Sequence, residues 1–139
     1  MQIKACLAVT LLAITALAQA PSTFKARLSP VPLDMSMFDT IAGIGQATAT
    51  VNGTKITVAG SFEGLKTAAT IAQIHRGVAT GVRGPVVFDL TIDKGTSGKV
   101  SGSFDLNAEQ VAMLRTGKLY IQIHSEKAPD GNLWGWLLP

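Results

Sequence analysis

The sequence predicts an all-β fold, an antiparallel sandwich or Greek-key barrel of seven or eight short strands with one short helix. Three observations support this prediction. Apolar and polar residues alternate in short runs, turn-forming residues separate these runs at short spacing, and 14 glycines suit tight turns better than long helices. About 120 residues follow an apolar N-terminal segment, which is enough for one domain with a single hydrophobic core.

The clearest predicted strand pair flanks Asn52-Gly53. The runs Gly45–Val51 and Lys55–Phe62 lie on either side of it. Asn-Gly between two such runs is the strongest short-range signal for a two-residue hairpin turn. In the second run Ile56 and Val58 alternate with polar residues, and a period of two indicates a strand with one buried side.

The other strands are predicted from the same alternation. Phe24–Leu28 is expected to form a short edge strand, followed by an irregular segment that prolines interrupt. Five further strands are expected at Thr70–His75, Pro85–Thr91, Lys99–Asp105, Leu119–Ser125 and Asn132–Leu137.

One short helix is predicted to begin after Asn107. Asn107 and Gln110 have the spacing of a capping box, in which each side chain bonds to the other residue's backbone amide. Val111 and Leu114 would then face the core. Gly117 is a suitable C-terminal stop because glycine readily adopts the left-handed conformation.

Residues 1–20 have the three parts of a secretory signal peptide. Lys4 supplies a positive charge, an apolar run extends from Ala5 to Ala18, and two small-residue cleavage sites end at Ala18 and Ala20. The apolar run is shorter than the ~20 residues that a membrane-spanning helix needs. We therefore expect cleavage after residue 18 or 20, a mature domain of residues 21–139 without a membrane anchor, and a secreted or periplasmic location.

Composition narrows the function of the mature domain. The only cysteine, Cys6, lies in the signal segment, so a packed core rather than a disulfide must stabilise the domain. Without Lys4, 11 Lys and Arg stand against 9 Asp and Glu, giving a net charge of about +2 without a basic block. This scattering argues against a nucleic-acid partner. Neither G-x-S-x-G, H-E-x-x-H nor a phosphate-binding loop occurs, so we do not expect an enzyme.

The two histidines form the candidate site. His75 and His124 each follow an isoleucine at the end of a predicted strand. Gln73 shares a strand face with His75, while Tyr120 and Gln122 share one with His124. If the two strands are neighbours, the imidazoles can approach each other and hold a metal ion, with copper and zinc as the two candidates. The alternative is that both histidines are structural and bond to the backbone.

Two tryptophans form a second candidate site. Trp134 and Trp136 share one strand face, opposite Leu133 and Leu137. Two aromatic rings two residues apart can form a platform for a glycan or a protein partner outside the cytoplasm. The alternative is that they cover an open end of the sandwich or pack on the N-terminal segment.

Four blocks of the sequence form a recognisable series: Phe24–Pro30, Ile71–Gly77 with Gly84-Pro85-Val86-Val87 after it, Gly117–His124 and Pro129–Gly135. Taken in this order, the blocks resemble the CHRD (chordin-type) domain family. They cover nearly the whole mature chain. The resemblance implies an immunoglobulin-like, Greek-key architecture and an exported protein without an assigned reaction. In animals such domains occur in chordin, an extracellular antagonist of growth factors.

The chain departs from the family pattern at three polar positions. Gln73 stands where the family has the first histidine of H-I-H, Asn132 where it has glutamate, and Trp134 where it has arginine. His75 and His124 match the family positions. The resemblance therefore implies a non-catalytic binding or structural role, with any metal site reduced to two imidazoles. We weigh this role against metal binding at the histidines and against partner binding at the tryptophans.

Overall fold

The computed structural model describes residues 20–31 and 34–139 as a barrel of eight antiparallel strands. The predicted signal peptide lies outside the described residues, apart from Ala20. The strands are β1 (Ser22–Pro30), β2 (Ile44–Asn52), β3 (Lys55–Glu63), β4 (Ala69–Arg76), β5 (Val86–Ile92), β6 (Gly98–Asp105), β7 (Leu119–Ser125) and β8 (Ala128–Trp136). A 3₁₀ turn (Met35–Met37) precedes β2, and helix α1 (Ala108–Arg115) precedes β7.

The strand order around the barrel is β1-β2-β3-β6-β5-β4-β7-β8, and β8 returns to β1. The connections from β3 to β4 and from β6 to β7 therefore pass over intervening strands, as they do in Greek-key folds. The prediction of an all-β fold with seven or eight strands and one short helix is confirmed, and the number of strands is eight. The expected immunoglobulin-like sandwich is corrected to a closed barrel.

The barrel closes because two strands pair with one neighbouring strand over most of their length and with another at their last residues. β1 pairs with β2 from Ser22 to Leu28 and with β8 at its last two residues. β5 pairs with β4 over its first part and with β6 at Thr91 and Ile92. The prediction that Phe24–Leu28 forms an edge strand is therefore corrected, because Lys25 bonds to Leu138 on the side away from β2 and β1 is part of the closed barrel.

The barrel interior is filled by the inward side chains of the strands. β7 lies between β4 and β8, and all seven of its residues are buried. Leu119, Ile121 and Ile123 face the core, as the alternation predicts. The residues between them face outward, so their burial means that the chain also covers the outer face of β7.

Helix α1 begins with the predicted capping box. Asn107 Oδ1 accepts the Gln110 amide at 2.8 Å, and Gln110 Oε1 accepts the Asn107 amide at 2.9 Å. Leu114 is buried in the core, and Gly117 lies beyond the helix end with a φ of 69°. None of the helices in residues 20–31 and 34–139 is long and apolar enough to cross a membrane.

Candidate functional site

His75 and His124 lie on the outer face of β4 and β7. The strands are neighbours, with Gln73 opposite Gln122 and His75 opposite Tyr120. His124 is four residues from Tyr120, a distance of about 13 Å along an ideal strand. The two imidazole centroids are nevertheless only 6.3 Å apart, so the side chains lean toward each other on either side of Gln122.

The strand pairing shifts register beside both histidines. The pairing of β4 with β5 shifts register between Ile74 and His75, and that of β7 with β8 shifts between Ile123 and Ser125. A bulge bends its strand and redirects the side chains beside it, and bulges are common next to functional sites. The alternation of residues in the sequence gives no signal for these shifts.

The backbone holds both imidazoles by the same ring nitrogen. His75 Nδ1 lies 2.9 Å from Gly84 O, and His124 Nδ1 lies 2.7 Å from Pro129 O. Because a carbonyl oxygen only accepts hydrogen bonds, each Nδ1 must carry the proton. In the neutral ring Nε2 therefore keeps its lone pair. This arrangement is typical of metal-binding histidines, whose second nitrogen donates to a carbonyl or carboxylate.

Within the described part of the chain, three buried side-chain atoms make no hydrogen bond to the protein. They are His75 Nε2, His124 Nε2 and Gln122 Oε1. The other end of the Gln122 side chain is fixed, because its Nε2 donates to Asp130 O at 2.9 Å. All three free atoms are electron-pair donors, and leaving such atoms unpaired in a protein interior costs about 1–3 kcal/mol each. They are thus suited to a shared cationic or hydrogen-donating ligand.

A loop of residues 77–85 covers this face. The Tyr120 hydroxyl lies 3.0 Å from the Gly84 amide and 3.3 Å from Gly84 O. Gly84 O thus accepts from His75 and from Tyr120, and the loop is tied to both strands. Arg83 donates to Asp130 O, and Thr80 donates to Gly117 O at 2.7 Å. Sequence reasoning missed this role of Gly84, although the Gly84-Pro85 pair is part of the family pattern.

An aromatic wall lies beside the histidine pair and consists of Tyr120, Trp134 and Trp136. Tyr120 stacks on His75 with centroids 5.0 Å apart, and Trp136 packs on Tyr120 at 4.5 Å. Trp134 meets Tyr120 and Trp136 edge-on. Both tryptophans are half-buried, on the face opposite Leu133 and Leu137 that the alternation predicted. Binding of a glycan or a protein partner by these rings stays a prediction.

The three departures from the family pattern have different settings. Gln73 is half-buried on the histidine face and donates to Asp89 Oδ1 at 2.8 Å. Asn132 is fully buried, donates to Ser125 Oγ at 2.8 Å and accepts the Ala42 amide at 3.3 Å. Asn132 therefore fastens the segment before β2 to β8. Trp134 belongs to the aromatic wall described above.

Burial lowers the pKa of His75 below its ordinary value of 6.5. The hydrogen bond to Gly84 opposes this effect, while the charges of His124 and Arg83 add to it. The folded protein thus favours the neutral ring at His75, the form whose Nε2 can bind a metal ion.

This lowered pKa predicts that acid destabilises the metal-free fold. As the pH falls through 6.5, the unfolded chain takes up a proton at His75 before the folded chain does. The free energy of unfolding should therefore fall with pH from about 7.5 until the folded pKa is passed. Urea unfolding at several pH values, with a chelator present, measures the slope. The slope should be smaller in His75→Asn, and equal slopes would contradict the prediction.

These features define an all-β barrel domain with a buried, histidine-containing polar cluster on its outer face. The sequence model of the CHRD domain matches residues 24–137. The chain therefore belongs to the CHRD domain family, as the four sequence blocks predicted. No curated protein and no solved structure matches the chain.

Proposed function

We propose that this CHRD domain is a non-catalytic binding protein whose ligand is a transition-metal ion held by His75 and His124. The observation that carries the proposal is the pair of buried Nε2 atoms without a protein partner, on rings whose Nδ1 atoms donate to backbone carbonyls. Imidazole nitrogen suits copper and zinc. The family match supports a binding role in general terms, and the metal is our addition.

A structural role for the histidines accounts less well for the same geometry. Hydrogen bonds to Gly84 O and Pro129 O use one nitrogen of each ring and leave the other buried and unpaired. A water molecule has two hydrogens for three acceptor atoms, because Gln122 Oε1 is also free. A metal ion can accept electron pairs from both Nε2 atoms at once, with Gln122 Oε1 as a further, weaker donor.

Calorimetric titration of the purified protein with copper and zinc salts tests the proposal. The matched variants are His75→Asn and His124→Asn, because the asparagine amide can still donate to the carbonyl while the Nε2 ligand is removed. We expect one metal ion per chain, with affinity reduced at least 100-fold in either variant. Lys55→Ala, at an exposed position on β3 away from the site, serves as a control that should leave the affinity unchanged. Metal binding that neither histidine variant weakens would overturn the proposal.

Export of the protein is a separate part of the proposal, based on the signal segment of residues 1–20. We predict that the mature protein begins at Gln19 or Pro21. Mass spectrometry of the protein recovered from the periplasm or medium measures its first residue. An intact Met1 on the mature protein would contradict cleavage. Replacing Ala18 and Ala20 with bulky residues should block processing, because the peptidase accepts small residues there.

A further inference from the structure

We infer that the ion is cuprous copper, Cu(I), and that the site discriminates against zinc and other divalent ions. The inference rests on the metal-binding function proposed above and adds the identity of the ion. The inference is drawn from the distance between the two imidazole rings and from the lack of negative charge on the protein atoms that would bind the ion.

The ring spacing fits a nearly linear N–metal–N arrangement. With a metal–nitrogen distance of about 2.0 Å and about 1.15 Å from Nε2 to the ring centre, linear coordination separates the centroids by roughly 6.3 Å. A tetrahedral angle with the same bonds gives roughly 5.1 Å. The centroids of His75 and His124 are 6.3 Å apart, and we infer that their two buried, unpaired Nε2 atoms face each other across the ion. Two-coordinate linear geometry is characteristic of Cu(I), whereas zinc prefers four ligands in a tetrahedron.

The charge of the surroundings favours a monovalent ion. Both imidazoles and the Gln122 amide are neutral donors when they bind a metal. Among residues 20–31 and 34–139, no three His, Cys, Asp or Glu side chains come together as ligands. Arg83 adds a positive charge that acts on His75. Because the cost of burying an ion rises with the square of its charge, a divalent ion here costs about four times as much as Cu(I).

The aromatic wall reinforces this preference. Tyr120 stacks directly on His75, and Trp136 packs against Tyr120. Such a wall keeps water from the ion, and divalent zinc loses more hydration free energy on entry than monovalent copper does. The charge of the surroundings and the loss of hydration therefore both favour Cu(I) over zinc, as the linear geometry does.

Competition titration under anaerobic conditions tests the inference. The purified protein, with Cu(I) kept reduced by ascorbate, competes with the colorimetric chelator bicinchoninate, and zinc is titrated separately against its own indicator. We expect one Cu(I) per chain, bound at least 100-fold more tightly than Zn(II). Ag(I), which shares the charge and linear preference of Cu(I), should raise the thermal midpoint of the wild-type protein and leave that of His75→Asn unchanged. X-ray absorption of the copper form should show two nitrogen ligands at short distance.

The outcomes separate this inference from the proposed function. Zinc binding as tight as Cu(I) binding, lost in both histidine variants, would overturn the selection of Cu(I) and leave metal binding intact. Four short ligand distances around copper would also overturn the inference. If neither metal bound the folded wild-type protein, both proposals would fail. Circular dichroism of each variant shows whether lost binding reflects lost folding.

Discussion

Replacing Gly84 with alanine should destabilise the protein by about 3 kcal/mol and weaken metal binding at least 10-fold. A Cβ at this position would lie 1.8 Å from Arg76 O and 2.9 Å from Arg76 C, and both of these are backbone atoms. The loop must then move away from β4. That movement breaks the hydrogen bonds that Gly84 O accepts from His75 and Tyr120. The substitution therefore disturbs both the packing of the loop and the orientation of the His75 ring.

Gly81→Ala is the matched control in the same loop. A Cβ on Gly81 meets no atom within 4 Å, so only its φ of 85° opposes the substitution, at a cost of about 1 kcal/mol. Thermal unfolding should show a drop in the midpoint of roughly 10 °C for Gly84→Ala and a much smaller one for Gly81→Ala. Metal affinity should fall only in the first variant. Equal effects of the two substitutions would contradict the role assigned to Gly84.

Most of the strands could be predicted from the sequence because their alternation is local. β7 was predicted with its observed bounds, and α1 with its capping box, since both depend on residues close together in the chain. The turn of the first hairpin was predicted one residue too early. The loop is Gly53-Thr54 rather than Asn52-Gly53, because Asn52 pairs with Lys55 and Gly53 takes the positive φ at the first loop position.

Barrel closure could not be predicted because it depends on long-range pairing. β1 and β8 are separated by almost the whole chain, yet Ser29 pairs with Trp134. Nothing in the alternation of β1 indicates that its last two residues change partner. The burial of His75, Tyr120 and His124 has the same origin. Strand parity correctly places these residues on the outer face, but parity cannot show that a loop covers that face.

The residues of the candidate site could be predicted from the sequence, but the geometry of the site could not. Parity put Gln73 with His75 and Gln122 with His124, and the structure places these strands side by side. The register shifts at the histidines, the carbonyls that hold them and the free oxygen of Gln122 all depend on the folded backbone. The fold brings the centroids of the two imidazoles to 6.3 Å from each other, and the alternation of residues in the sequence cannot show this distance.

Gln73→His should raise the affinity for zinc roughly 10- to 100-fold and so reduce the difference between the Cu(I) and zinc affinities. Gln73→Leu should leave the affinity for Cu(I) nearly unchanged. Gln73 lies directly opposite Gln122 and two residues from His75 on the same face, so a histidine there adds a third imidazole beside the pair. Three imidazoles suit zinc, whereas two at a wide angle do not. The Asp89 carboxylate that now accepts from Gln73 can orient the new ring.

Zinc titration of Gln73→His and Gln73→Leu separates an added ligand from a change in packing, because both variants lose the amide that donates to Asp89. A gain in the histidine variant alone would mean that position 73 reaches the ion held by His75 and His124. Equal zinc affinities in the two variants would mean that a histidine at position 73 does not reach the ion.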